Sequence, residues 1–510
     1  MEGPSDMERG TEAGLDAPYL CFLLLGCGTL FPWNALITAA NYWEARYPGK
    51  HTDRLLTVAY LPINLVVIAA MVHWHARMRP VLRIVTGLVG FTLAIAAVPL
   101  LDLAPASSGT LAVLLLLVAA CGLCDGLAQG ALFGEAARLP PRFTQALIAG
   151  TAVSGVVVSV LRVVTKATLP DTEQGLRQSA NLYFAIAALV CAACTVVYSY
   201  VLPRLPAVQQ YKHAALEAAL HGDDDLGLER HEGQGPGSLA SSAAASPWKQ
   251  HRQQQQQPAR SSIDVELSYE DHVHGWGQQD GEQQQQLDSR PATLAEESAG
   301  QALLGGGAQH TMSNSRPGEW LHDHWQAGQQ QQQQYARAGQ AAQAGALTAG
   351  AVFRMLWRLA TANALIYTIT LSIFPGVLAE DVHSAELGSW YPVALLTAFN
   401  FADWAGKSLP GVPALRVSNE RIILGATLLR VLFIPAFYFA AVGGAMPAII
   451  GTLALLLGAS NGFLSSCAMM RAPSLVPPAA GELAGNMMVL FLILGLCIGA
   501  ACGFLWLLAD

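Results

Sequence analysis

Charge is scarce in this sequence. Only 13% of its 510 residues are Asp, Glu, Lys or Arg, against roughly 25% in ordinary soluble domains. That argues against a water-soluble protein of this length. No cluster of histidines, no nucleophile beside a base and no metal-ligand spacing can be found, so catalysis is not expected, and neither is a cofactor or a metal. The nine cysteines include two C-x-x-C pairs, Cys121/Cys124 and Cys191/Cys194. Both pairs lie in apolar stretches with no third ligand near in sequence, and they read as small buried side chains. Ala405-Gly406-Lys407-Ser408 mimics the end of a phosphate loop, but Phe401 stands where its first glycine belongs, so the motif fails. Net charge is -8, and no nucleic-acid partner is expected. The first 17 residues carry Glu2, Asp6, Glu8, Glu12 and Asp16 with Arg9 as their only base. They lack the basic region of a secretory signal and read as a cytosolic tail before an uncleaved first helix.

What the chain has instead is hydrophobic residues, 53% of the total, gathered in runs of ~20, the length that spans ~30 Å of hydrocarbon. Eleven runs can be marked: Pro18–Trp43, Leu55–Trp74, Leu82–Leu101, Leu111–Phe133, Ala146–Val164, Ala180–Val201, Val352–Leu378, Leu387–Lys407, Ile422–Val442, Ala448–Met469 and Leu483–Leu508. The expected fold is an all-α polytopic membrane protein. Its lipid-bilayer partner follows from the same runs. Pro203–Gly350 has no run long enough to span and holds three glutamine tracts. Such a segment cannot bury enough surface to offset its ordering entropy. It is expected to be a disordered linker, which divides the chain into a tail (1–17), six helices (18–202), the linker (203–350) and five helices (351–510). With the N-terminus inside, the short cytosolic loops carry eight Lys and Arg against five outside. That modest bias puts the N-terminus and the linker in the cytosol. The plasma membrane is the expected location, with an internal membrane as the alternative.

Glycines stand at spacing four in three stripes: Gly122 to Gly134, Gly458 and Gly462, and Gly495 to Gly503. They suit close helix contact in a compact bundle. Polar residues inside the runs are costly in hydrocarbon, so they either join helices or line a cavity. Trp33 and Asn34 follow a proline in the first run. Asp125 and Gln129 share a face of the fourth, and Gln129 carries the donors and acceptor that read a base edge. Arg162 in the fifth is deep enough to pair with Asp125, as a structural salt bridge or a gating contact. Asn400, Asp403 and Lys407 share a face of the eighth, where Asp403 and Lys407 can pair. Asn363, Tyr367, Arg430, Ser460, Asn461 and Asn486 are further inward residues, expected mainly to pack or to bond helix to helix. Together these groups suit binding and translocation of a polar, roughly neutral solute.

At these residues the sequence resembles the equilibrative nucleoside transporter family, in its plant-type branch. The resemblance rests on LGCGTLFPWNALITAANYW, GLCDGLAQGALFGEAARLPPRFTQALIAGTAVSG with LRVVTKA, SIFPGVLAED with LGSWYP, FNFADWAGKSLP, NGFLSS and GNMMVLFLILGLCIGAACGF. It covers nearly all the runs in order and leaves out the linker. It implies a major-facilitator-like fold of six plus five helices, with a nucleoside or nucleobase moved through a central cavity. It further implies that Gln129 bonds the base, that Asp403 and the base at 407 contact ribose hydroxyls, and that Leu30, Trp33 and Tyr60 shape the cavity. Asp125 and Arg162 match polar positions of the plant branch. Family members include facilitators and proton symporters, and Asp125 is the residue nominated for protons. The family usually carries Arg where this chain has Lys407, a point charge in place of a fork that holds two oxygens. Two other readings stand beside this one: a carrier for another small solute such as a sugar, and a membrane receptor or scaffold acting through its linker. Residues alone do not give the oligomeric state.

Overall fold

The computed structural model describes residues 16–74, 79–170, 172–211, 347–374, 384, 386–443 and 446–503. The expected tail up to residue 15, most of the expected linker (212–346), the end of the seventh run with the residues after it (375–383) and the end of the last run (504–508) lie outside the described residues. The described residues fall within one compact unit and are almost wholly helical.

Six runs of the first half become α1 (Ala17–Thr38) with a short α2 (Ala40–Arg46), α3 (Thr52–Trp74), α4 (Pro80–Ala97), α5 (Ser108–Ala136), α6 (Pro141–Thr168) and α7 (Glu173–Val196). The second half supplies α8 (Ala349–Ile373), α9 (Trp390–Ser408), α10 (Glu420–Leu429), α11 (Phe433–Val442), α12 (Pro447–Arg471) and α13 (Gly481–Gly503). Among the described residues nine helices, some continued by 3-10 turns, are long and apolar enough to cross a membrane; α8 and α9 are not counted with them. α8 carries Arg354 and Arg358, and α9 carries Asn400, Asp403 and Lys407.

Two runs read as single helices are interrupted. The first breaks at Ala39, where the Leu36 carbonyl accepts the indole N–H of Trp43 at 2.9 Å. Trp43 therefore folds back into the bundle and is fully buried. The ninth tightens into a 3-10 turn at Arg430–Leu432. Pro435 follows, and it has no N–H for the Val431 carbonyl. Pro32 leaves the Gly28 carbonyl without its helical donor in the same way. There the Cys191 thiol donates to it at 3.5 Å. The nine cysteines are free. The expected linker begins late: residues 206–211 are helical, Val208 is buried, and the Tyr211 ring meets Phe143 at 5.9 Å.

The glycine stripes do what their spacing suggested. A Cβ at Gly122 would lie 2.5 Å from the Tyr60 carbonyl, and one at Gly495 would lie 2.3 Å from that of Ala364. Backbone thus lies on backbone between α5 and α3, and between α13 and α8. Inside the first half α1 packs on α6 and α7, and α5 on α3 and α4; inside the second, α9 packs on α12 and α8 on α13. The halves meet through α6 against α9 and α12, and through α13 against α3 and α5. One apolar core runs across both halves, with Phe133 and Leu147 from the first and Leu359 and Met488 from the second.

Candidate functional site

A cavity of about 260 Å³ lies where the halves face each other. Its lining runs from Gln129 and Asp403 inside their helices, and Lys407 in the last turn of α9, to Ile37, Arg54, Phe374 and Gly503, at or near the same end of the bundle. The opposite end is shut by polar contacts between the halves. Arg83 on α4 and Arg138 after α5 both pair with Glu482 on α13, at 2.9 and 2.7 Å. Gln145 on α6 donates to the Lys407 carbonyl at 3.1 Å and accepts from the Tyr19 hydroxyl at 2.9 Å. Arg83, counted from sequence as a loop cation, is fully buried.

Nine of the ten residues singled out from sequence line this cavity: Leu30, Trp33, Asn34, Tyr60, Asp125, Gln129, Asn400, Asp403 and Lys407. Arg162 does not. It is half-buried on α6, and the pairing with Asp125 is not made. α3 supplies the partners instead, because Gly122 lets it lie directly on α5. Tyr60 and Asn64, one turn apart on α3, both donate to Asp125 Oδ2, at 2.9 and 2.7 Å. Asp125 Oδ1, Asn64 Oδ1 and Gln129 Oε1 are buried with no hydrogen-bond partner. The Trp33 ring leans on Tyr60 with centroids 4.5 Å apart.

The second-half wall is a chain of satisfied groups. Lys407 Nζ lies 2.9 Å from Asp403 Oδ2, and Asn461 donates to Asp403 Oδ1 at 2.7 Å. Thr370 lies 2.8 Å from Asn461 Oδ1, and Arg430 donates to Thr370 at 2.8 Å and to Ser460 at 3.0 Å. Phe374 stacks on Phe399 with centroids 4.1 Å apart. Three bonds tie cavity residues to α6: Asn34 to Ser154 at 2.7 Å, Asn400 to Ser159 at 2.8 Å, and Lys407 to Thr151 at 3.4 Å.

Sequence reasoning missed Asn64, Thr151, Ser154, Ser159 and Thr370. Each is an uncharged polar residue in an apolar run, and small hydroxyls there usually bond their own helix. Only the Tyr60–Asn64 and Thr151–Ser154 spacings marked a shared polar face. Asn363 bonds the Met488 carbonyl at 3.0 Å and joins helices, as expected.

The cavity lies between two helical halves, with unpartnered acceptors on the first-half wall and a satisfied ion pair on the second. The family described as nucleoside transporters matches residues 115–265 and 306–508 of this sequence. The chain belongs to the nucleoside transporter family. Two relatives in Arabidopsis thaliana span nearly the whole transporter. Equilibrative nucleotide transporter 8 is 30% identical over 96% of this chain and 95% of its own, and equilibrative nucleotide transporter 1 is 31% identical over 96% and 86%. In fold the transporter is similar to the major facilitator proton:xylose symporter XylE, at TM-score 0.57 and 10% identity, covering 96% of this chain and 88% of that one. It is similar also to the human organic anion transporter MFSD10, at TM-score 0.50 and 13% identity over 96% and 93%. The transporter is a multi-pass membrane protein of major-facilitator-like fold, and its activity is transport.

Proposed function

We propose that this transporter carries nucleosides through the cavity by exposing one site alternately to the two sides of the bilayer. The observation that carries the reading is the division of the cavity wall. Gln129 holds a buried, unpartnered acceptor on the first half, suited to a base edge. Asp403 and Lys407 on the second half neutralise each other at 2.9 Å and still offer charged atoms to ribose hydroxyls. Leu30, Trp33 and Tyr60 give the base an apolar and aromatic surface. Asn34 and Asn400 steady the site by their bonds to α6. A free nucleobase would meet the first wall only.

In this reading residues 18–202 and 351–510 are the halves that rock, and α8 and α9 complete eleven spans in a six-plus-five arrangement. Their polar residues are tolerated because they face protein and cavity rather than lipid. The tail (1–17) and linker (203–350) lie in the cytosol, so the cavity opens away from it, and the plasma membrane is the home membrane. Asp125, whose second oxygen has no donor, is the candidate for taking a proton during symport. Arg162, off the cavity, is left to gating or packing.

The test is uptake of labelled uridine and adenosine by a transport-deficient cell expressing the chain, with and without a protonophore and alongside Gln129→Ala. Saturable uptake that falls in Gln129→Ala supports the reading. Folded, surface-located protein with no uptake rejects it. If Asp125→Asn keeps the wild-type dependence on pH, the proton role is abandoned.

A further inference from the structure

The three unpartnered acceptors form one patch. Asp125 and Gln129 are one turn apart on α5, and Asn64 is bonded to Asp125 from α3 at 2.7 Å. All three line the cavity, and their exposures are 1%, 3% and 0%. The Tyr60 hydroxyl and one N–H of Asn64 go to Asp125 Oδ2. Asp125 Oδ1, Asn64 Oδ1 and Gln129 Oε1 are left as three buried acceptors without a donor. Burying an acceptor with no donor is costly, and bringing a second acceptor against it is worse. We propose that this patch makes the transporter select bases that carry an exocyclic amino group over those with a carbonyl in its place, so that adenosine and cytidine are favoured over inosine and uridine.

The chemistry follows from the edges of the bases. The amino groups of adenine and cytosine each offer two N–H donors, and a carboxylate with two amide oxygens can take both. Inosine and uridine put a carbonyl oxygen at that position, of the same polarity as the patch, and offer a single N–H beside it from the neighbouring ring nitrogen in place of the two amino donors. The Asp403–Lys407 wall has no such bias, because both Asp403 oxygens already accept, from Lys407 and Asn461. Discrimination therefore belongs to the first-half wall, with Asp125 the direct contact. Tyr60 and Asn64 are positioning residues that fix which carboxylate oxygen is free.

The inference rests on the nucleoside reading above, and its test separates the two. Uptake of labelled adenosine is measured in the transport-deficient cell against unlabelled adenosine, inosine, cytidine, uridine and the 6-unsubstituted purine riboside. Wild type is expected to favour each amino member over its carbonyl partner by about tenfold, from the satisfaction of one buried acceptor. The 6-unsubstituted riboside should fall between adenosine and inosine. Asp125→Asn replaces the carboxylate with an amide that can turn a donor to the base, and should bring the adenosine-to-inosine ratio near one. The wild-type panel alone decides the matter if that variant does not reach the surface. Equal competition within both pairs overturns this selectivity and leaves nucleoside transport standing. Absence of any nucleoside uptake overturns both.

Discussion

Arg83 Nη2 lies 2.9 Å from Glu482 Oε1, joining α4 to the first turn of α13 across 399 positions of sequence. Arg138 takes the other carboxylate oxygen at 2.7 Å. A fully buried guanidinium stripped of its anion keeps its desolvation cost and loses its compensation. Glu482→Ala should therefore cost about 3–5 kcal/mol, read as a lowered unfolding temperature of the detergent-purified protein. Arg83→Met combined with Glu482→Met should lose less than the two single losses added together. Additive losses would show that the pair is not coupled.

Lys407 and Asp403 share one charge pair at 2.9 Å. Lys407→Met leaves the Asp403 carboxylate buried with the Asn461 amide still donating to it, and uptake should drop by more than about tenfold. Lys407→Arg keeps the pair and adds a fork that can reach a ribose hydroxyl as well. Its KM for nucleosides should fall relative to that for free bases, measured as the ratio of the two in the same cells. An unchanged ratio would remove ribose from this wall.

Asn461 links Asp403 to Thr370, and Thr370 to Arg430. Asn461→Leu should cut kcat/KM for uptake by about tenfold through the broken network. Thr370→Val on top of it should add less than it does alone, since both act on the same chain of bonds. Independent effects would mean that the chain of contacts carries no energy as a unit.

At Gly462 a Cβ would lie 2.1 Å from the Asp403 carbonyl and 2.7 Å from the Lys407 nitrogen. Gly462→Ala should thus force α12 off α9 and reduce the fraction that elutes as a sharp monodisperse peak in gel filtration. Gly425→Ala is the control. Nothing lies within 4 Å of that position, and alanine in a helix interior gains up to about 1 kcal/mol over glycine. If both variants elute alike, close approach at Gly462 is not limiting.

The residues by themselves determined more here than in most soluble proteins, because a bilayer leaves the chain few choices. A run of apolar residues must become a helix to satisfy its backbone, so the helical class follows from hydropathy. A polar residue in such a run must face inward, so Trp33, Gln129 and Asp403 could be turned toward other helices or a cavity before any helix was packed. Glycine spacing likewise marked faces of close helix contact, though not the partner, which for Gly462 is the Asp403 backbone.

Tertiary structure decided the partners. Asp125 chose Tyr60 and Asn64 over Arg162, because which neighbour lies on α5 is a matter of packing, and Gly122 brings α3 onto it. Arg83 sits like a loop cation in sequence, and only the arrival of α13 makes it one end of a buried pair. The breaks at Ala39 and Arg430 have local causes that hydropathy does not register, the Trp43 indole on the Leu36 carbonyl and Pro435 without an N–H for the Val431 carbonyl. Burial and helicity are properties of a segment in its solvent and can be read along the chain. A hydrogen bond or ion pair needs two atoms within about 3 Å, and only the folded packing sets that distance.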